Sequence, residues 1–123
     1  MEEHRLYGTT ETDGSLTVKG DAVSGKVYAI AWIDGTFADN VTAVISTIEN
    51  EAATTLLTLA AGEGDDDVVY YPRALACDAG ATALTGTAGG DRVRPIAVGK
   101  LQLVVAAGGS AKEGGCIVYI EEE

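Results

Sequence analysis

The sequence holds one histidine, two cysteines, two prolines and only eight basic residues among 123, and each shortage removes a class of function. The single imidazole, His4, stands near a chain end, where order is least assured, so a Ser-His-Asp or Cys-His arrangement would have no firm base to rest on. His4 reads instead as a solvated polar side chain at the start of the first strand. Cys77 and Cys116 lie far apart with no CxxC spacing, which excludes a zinc site or a thioredoxin-like motif. Both have strand-like neighbours and read as small buried hydrophobes, and a reducing cytoplasm opposes a disulfide between them. No apolar run approaches the roughly 20 residues of a spanning helix. The start, MEEHRLYGTT, lacks the basic and apolar regions of a secretory signal. The expectation is a soluble protein made in the cytoplasm, with no cofactor and no metal.

Charge of one sign is also scarce. Nineteen acidic residues against eight basic ones give a formal net charge of -11, which repels nucleic-acid phosphates and disfavours direct DNA or RNA binding. The acidic run Asp65-Asp66-Asp67 offers oxygen ligands of the kind Ca²⁺ takes, but without EF-hand spacing, and reads as a solvated, self-repelling loop tip. The terminal Glu121-Glu122-Glu123 reads as a charged tail that keeps the last strand from pairing with a stranger.

What is present is strand rhythm. Apolar residues make up 46% of the chain and glycine is abundant at 16, while Val, Ile, Thr and Tyr cluster in short runs between Gly/Asp/Asn/Ser groups. The runs are 5–10, 15–19, 26–33, 41–48, 54–60, 68–71, 81–87, 94–106 and 116–121. Their number predicts an all-β protein: a single-domain β-sandwich or jelly-roll-like barrel of about seven to nine short antiparallel strands. One domain spans 1–123, with residues 1–10 an extended N-terminal arm or a first strand. Residues 49–61 are helix-compatible in part, but Thr54, Thr55 and Thr58 tilt the reading toward strand. Asp13-Gly14 and Asp34-Gly35 have hairpin-turn chemistry. Residues 62–67, 86–91 and 108–115 read as exposed, flexible loops.

Three features point to contact surfaces. In 26–33, strict alternation puts Val27, Ala29, Ala31 and Ile33 on one face and Tyr28, Ile30 and Trp32 on the other. Both faces are apolar, so one should meet the core and the other a partner; 116–121 shows the same two-sidedness, whereas in 101–105 Gln102 opposes Leu101, Leu103 and Val105. Tyr70-Tyr71-Pro72-Arg73 ends a strand in extended geometry, since proline removes a ladder donor and restricts Tyr71. Its Tyr pair and Arg73 suit an edge strand covering the core or a subunit contact. Arg92, Arg94 and Lys100 form a basic group that could dock on an acidic partner.

The segments Tyr71-Pro72-Arg73, Pro95-Ile96-Ala97-Val98-Gly99-Lys100-Leu101-Gln102-Leu103-Val104-Val105-Ala106-Ala107-Gly108-Gly109 and Gly114-Gly115-Cys116-Ile117-Val118-Tyr119-Ile120-Glu121 resemble small structural proteins encoded among the head genes of tailed bacteriophages. The resemblance covers roughly the last 55 residues, and the first half only in strand rhythm. It implies a capsid decoration or cement protein: a sandwich or jelly-roll-like domain, often trimeric, that binds the outer head shell and clamps capsomers. It carries over no functional residue, because the matched positions are architectural. The sequence therefore reads as a virion structural protein and not an enzyme, a homo-oligomer partnered by the major capsid protein or another virion protein, located on the head surface. The alternative is a tail- or fibre-associated module that recognises a host glycan or protein.

Overall fold

A computed structural model describes residues 2–72, 74–75, 92–93 and 95–122. The chain is all-β. The strands are β1 (Glu2–Thr9), β2 (Leu16–Ile33), β3 (Thr42–Glu49), β4 (Ala52–Leu59), β5 (Val68–Tyr70), β6 (Ala74–Leu75), β7 (Arg92–Val93), β8 (Ile96–Ala106) and β9 (Glu113–Glu122). Seven form one antiparallel sheet in the order β1-β9-β2-β8-β3-β4, with β5 added to β2, and β6 and β7 pair separately. Residues 2–9 are therefore a strand of the sheet and not a free arm. The stretch 81–87, read as a strand, and the loop 86–91 lie outside the described residues, as does Cys77.

The strand β2 determines the architecture. Two short runs separated by Gly20, Asp21 and Gly25 merge into one strand of 18 residues, which laid straight would extend about 55 Å. Its start pairs with the end of β8 (Leu16 with Val105), and its end with the start of β9 (Ile33 with Gly115). Only Ala107–Lys112 joins β8 to β9, and a link of that length reaches at most about 25 Å. The two ends of β2 must therefore approach each other, and the strand has to bend. Register shifts between Lys19 and Ala22 and between Val27 and Ala29 provide the bends, since a β-bulge kinks its strand and increases local twist.

Bending folds the sheet into two limbs. The first holds β1, β9, β5 and the second half of β2; the second holds the first half of β2 with β8, β3 and β4. One apolar cluster lies between them, drawing Leu6, Val27, Ile30, Trp32, Cys116, Val118 and Ile120 from the first limb and Ile45, Leu59, Ala97, Leu101, Leu103 and Val105 from the second. A Cβ at Gly20 would meet both Leu6 and Leu101, which shows how closely the limbs approach. The expected alternation in β8 is present, with Leu101, Leu103 and Val105 fully buried and Gln102 on the other side.

Local chemistry and long-range pairing diverge at the turns. Gly14 (φ 85°) and Gly35 (φ 56°) adopt the left-handed backbone expected of them. Neither turn makes a hairpin, however: β1 pairs with β9 instead of β2, and β3 pairs with β4 and β8 instead of β2. The turns are anchored instead to the β8–β9 link, where Gly108 donates to the Gly14 carbonyl and Ala38 to the Gly108 carbonyl. Buried Thr10 donates through Oγ1 to Gly109 O (2.5 Å) and accepts from Lys112 N (2.8 Å). The segment 108–115, expected to be exposed and flexible, is thus fastened at Gly108, Gly109 and Lys112, and its last residues belong to β9. The hairpin that does form, β3–β4, turns on Asn50 (φ 50°) and Glu51 (φ 68°), which places β4 as strand within 49–61.

Candidate functional site

The outer face of the first limb carries the candidate contact site. Cross-strand register aligns Arg5, Ile117, Ala31 and Val69 in one row and Glu3, Tyr119 and Ala29 in the next. Beside them Tyr28, Ala29, Val69, Tyr71 and Tyr119 line a hollow of ≈ 310 Å³. Tyr71 is 56% exposed and Val69 49%, a degree of apolar exposure that marks binding surfaces when the residues are contiguous. The Tyr28 and Tyr71 rings meet edge to face, centroids 6.0 Å apart and planes at 88°, the geometry favoured by the ring quadrupole. This contact ties β2 to the residue just beyond β5, where Pro72 ends the strand and is itself buried.

The bulge at Tyr28 corrects the two-face reading of 26–33. Val27 pairs with Ile120 and Ala29 with Tyr119, leaving Tyr28 as the extra residue. Each later side chain is therefore carried to the opposite face. Val27, Ile30 and Trp32 all point into the core, and Ile30 and Trp32 are no more than 1% exposed. The expected contact face of Tyr28, Ile30 and Trp32 does not exist; of the three, only Tyr28 lines the outer hollow. In β9, a central strand flanked by β1 and β2, one apolar face (Cys116, Val118 and Ile120) is buried in the core and the other (Ile117 and Tyr119) is half-buried on the outer side of the sheet. Because β9 is central, its acidic end does not guard a sheet edge: Glu121 lies opposite Lys26 of β2.

The remaining expected contact residues separate. Tyr70 turns inward, packs against the core and donates its hydroxyl to the Glu63 carbonyl (2.8 Å); burial, with Glu63 adding, raises its pKa above the ordinary tyrosine range. Lys100 is exposed on β8 beside Lys19, and the two border a shallow hollow of ≈ 170 Å³ with Gln102. That basic pair escapes sequence reading because its members are 81 positions apart and meet only through the β2–β8 ladder. Arg92 pairs with Leu75 through the backbone, while its side chain, Arg73 and Arg94 lie outside the described residues.

The acidic loop has a structural task that its composition does not reveal. Asp65 Oδ1 accepts from Asn40 N and Asp67 Oδ1 from Asp34 N, both at 2.8 Å, and Glu63 Oε1 accepts from Ala60 N at 2.7 Å. The loop is thereby fastened to the segment after β2: Asp66 and Asp67 are solvent-exposed, as expected of the tip, and the carboxylates of Asp65 and Asp67 also clamp backbone amides. Trp32 completes it by donating Nε1–H to the Gly64 carbonyl (2.9 Å) while its ring stacks on Phe37 at 5.6 Å. The gathering of carboxylates falls hardest on Asp34. Its Oδ1 is shielded and has no hydrogen-bond partner among the described residues, and desolvation, then Asp65, Asp67, Asp39 and Asp66, raises its pKa. Among the described residues no group of three or more His, Cys, Asp or Glu is placed to hold a metal ion. Cys116 is free, and burial pushes its thiol up to about 12, so it behaves as a core hydrophobe. His4 lies 2.9 Å from Glu2 Oε2 at the start of β1. No helix of the described residues is long and apolar enough to cross a membrane.

No family model matches the chain, and comparison with curated proteins and with solved structures returned no match. The site is therefore defined by its own geometry: an aromatic hollow open on one sheet face of an acidic all-β domain.

Proposed function

We propose that this chain is a structural subunit of a virion, a decoration protein seated on the outside of a tailed-phage head, where it stabilises contacts between capsomers. The observation that carries the reading is the outward hollow of Tyr28, Val69, Tyr71 and Tyr119, whose apolar wall is exposed in the isolated chain. Tyrosines in such a setting make effective anchors, because they bury a large area at low conformational cost and keep a polar tip for the rim. The likeness of the strands β8 and β9 to phage head proteins supplies the setting. A net charge of -11 suits a particle surface that must avoid nucleic acid and its own kind. Any subunit that binds the finished shell and not its precursor stabilises that shell by mass action.

The test is co-sedimentation of the purified chain with heads stripped of it. Wild type should pellet with the heads, and Tyr71→Ser should weaken binding by about tenfold or more while lowering the melting temperature only by the few degrees that loss of the Tyr28 ring contact accounts for. Absence of binding by wild type overturns the reading. A second reading, a tail- or fibre-associated module that takes up a host glycan, is favoured by the same three tyrosines, since ligand hollows combine apolar walls with a few polar groups. Glycan-array binding without affinity for heads would select it.

A further inference from the structure

Among the described residues the sheet is open, and its two edges differ in kind. The β1 edge carries Glu2, Glu3, His4 and Arg5, the charged side chains by which natural edges resist stray pairing. At the other edge β4, Ala52–Leu59, reads AATTLLTL, without a charge or a proline. Every other strand of eight residues or more contains at least one ionisable side chain: Lys19, Asp21 and Lys26 in β2, Glu49 in β3, Lys100 in β8, and Glu113, Glu121 and Glu122 in β9. On a chain of net charge -11, β4 is the one long edge strand among the described residues that carries no charge of its own, with Glu49 at the end of β3 and Glu51 in the turn that precedes it.

Near the edge lies a groove of mixed character. Ala52 and Thr54 of β4 line this hollow of ≈ 360 Å³ together with Thr47, Glu49 and Asn50 and with Ile96 and Val98 at the start of β8. Ile96 is 63% exposed and Val98 43%. The bulge of β4 opposite Ile45 and Ser46 falls at Leu56, so the regular part of the exposed edge is Ala52–Thr55, next to the groove. A strand added there would satisfy the edge backbone groups of β4.

We propose that this edge joins two copies of the chain, β4 against β4 in antiparallel pairing about a two-fold axis. The neutral sequence favours the second copy as occupant. In self-pairing, Ala and Thr face Ala and Thr, with no like charges opposed. Pairing β4 onto the β1 edge of another copy would instead set Glu2 and Glu3 against it. An isologous contact of this kind closes as a dimer, in contrast to the trimer implied by the phage-head resemblance. Edge pairing and head binding use different surfaces, and either can fail alone.

Sedimentation velocity of the full chain over a concentration series tests it, together with amide hydrogen exchange. Wild type should populate a dimer, and protection of β4 amides should rise with concentration. Thr55→Lys, placed on an exposed position, should raise the dimer dissociation constant by about tenfold or more, with an unchanged circular dichroism spectrum and melting curve at dilute concentration, and Thr55→Ser should restore dimerisation. A monomer at every concentration overturns the proposal. So does a dimer indifferent to Thr55→Lys, or a trimer, whose odd number a two-fold edge cannot build.

Discussion

The two limbs of the sheet solve the same packing problem with different residues. The five tyrosines, the tryptophan and the phenylalanine all fall on the first limb or the segments flanking its strands. The second limb is aliphatic, with Ile45, Leu59, Leu101, Leu103 and Val105 filling its inner face. In the first limb the aromatic groups also bind backbone: Trp32 holds the Gly64 carbonyl and Tyr70 the Glu63 carbonyl, so packing and loop anchoring depend on the same side chains. The second limb relies on ladders and packing, and among the described residues it ends at the edge of β4. The limb with polar handles therefore organises loops and a recessed hollow. The limb without them presents plain strand edge and a groove walled by Ile96 and Val98 together with Thr47, Glu49, Asn50 and Thr54.

Core truncation should separate the limbs most clearly. Trp32→Ala removes core volume, the stack on Phe37 and the Gly64 hydrogen bond together, and is expected to cost about 4 kcal/mol. Leu103→Ala, which loses packing alone, should cost about 3 kcal/mol. Chemical denaturation measures both. Hydrogen exchange should add that Trp32→Ala exposes the 60–67 loop while Leu103→Ala does not; equal loop protection in the two variants would remove the distinction. Asp67→Ala should cost about 1 kcal/mol, because the Asp34 amide loses a charged acceptor while carboxylate crowding eases.

Most of the strands are legible in the sequence because their signal is local: alternation in β8, β-branched runs and glycine breaks. What is not legible depends on partners distant in sequence. The turn chemistry of Asp13-Gly14 and Asp34-Gly35 is local and correctly predicts two left-handed glycines, but whether a turn closes a hairpin depends on which strand competes for the edge, and β9 and β8 win there. The Tyr28 bulge exists because β2 must bend toward the short β8–β9 link, a tertiary demand that inverts the facing of Ile30 and Trp32. The backbone contacts of Asp65 and Asp67 are not legible because the amides they accept from, Asn40 N and Asp34 N, sit about 25 to 33 positions away. The β3–β4 turn carries no sequence signal because Glu51 occupies a left-handed site usually given to glycine.

That turn offers a gain on the second limb. Glu51→Gly should stabilise the chain by about 1 kcal/mol by relieving the left-handed strain at φ 68°, visible as a higher denaturation midpoint at unchanged slope. The smallest effect belongs to the first limb and depends on pH. Asp34 has a folded pKa raised above 3.8 by desolvation and its acidic neighbours, so in the window between its unfolded and folded pKa the folded state binds more protons. Its contribution should therefore increase stability as pH falls through that window, and Asp34→Asn should flatten the slope there. Below it the trend reverses at Asp13, whose pKa is lowered by hydrogen bonds from Ser15 and whose contribution is lost on protonation.

Where the molecule sits is tested most directly on the assembled particle. Cryo-electron microscopy of the virion should find this chain on the outer head shell, with the Tyr28, Val69, Tyr71 and Tyr119 hollow closed by a capsid protein. A map in which the head lacks the chain, or in which that hollow faces solvent in every bound copy, would contradict it.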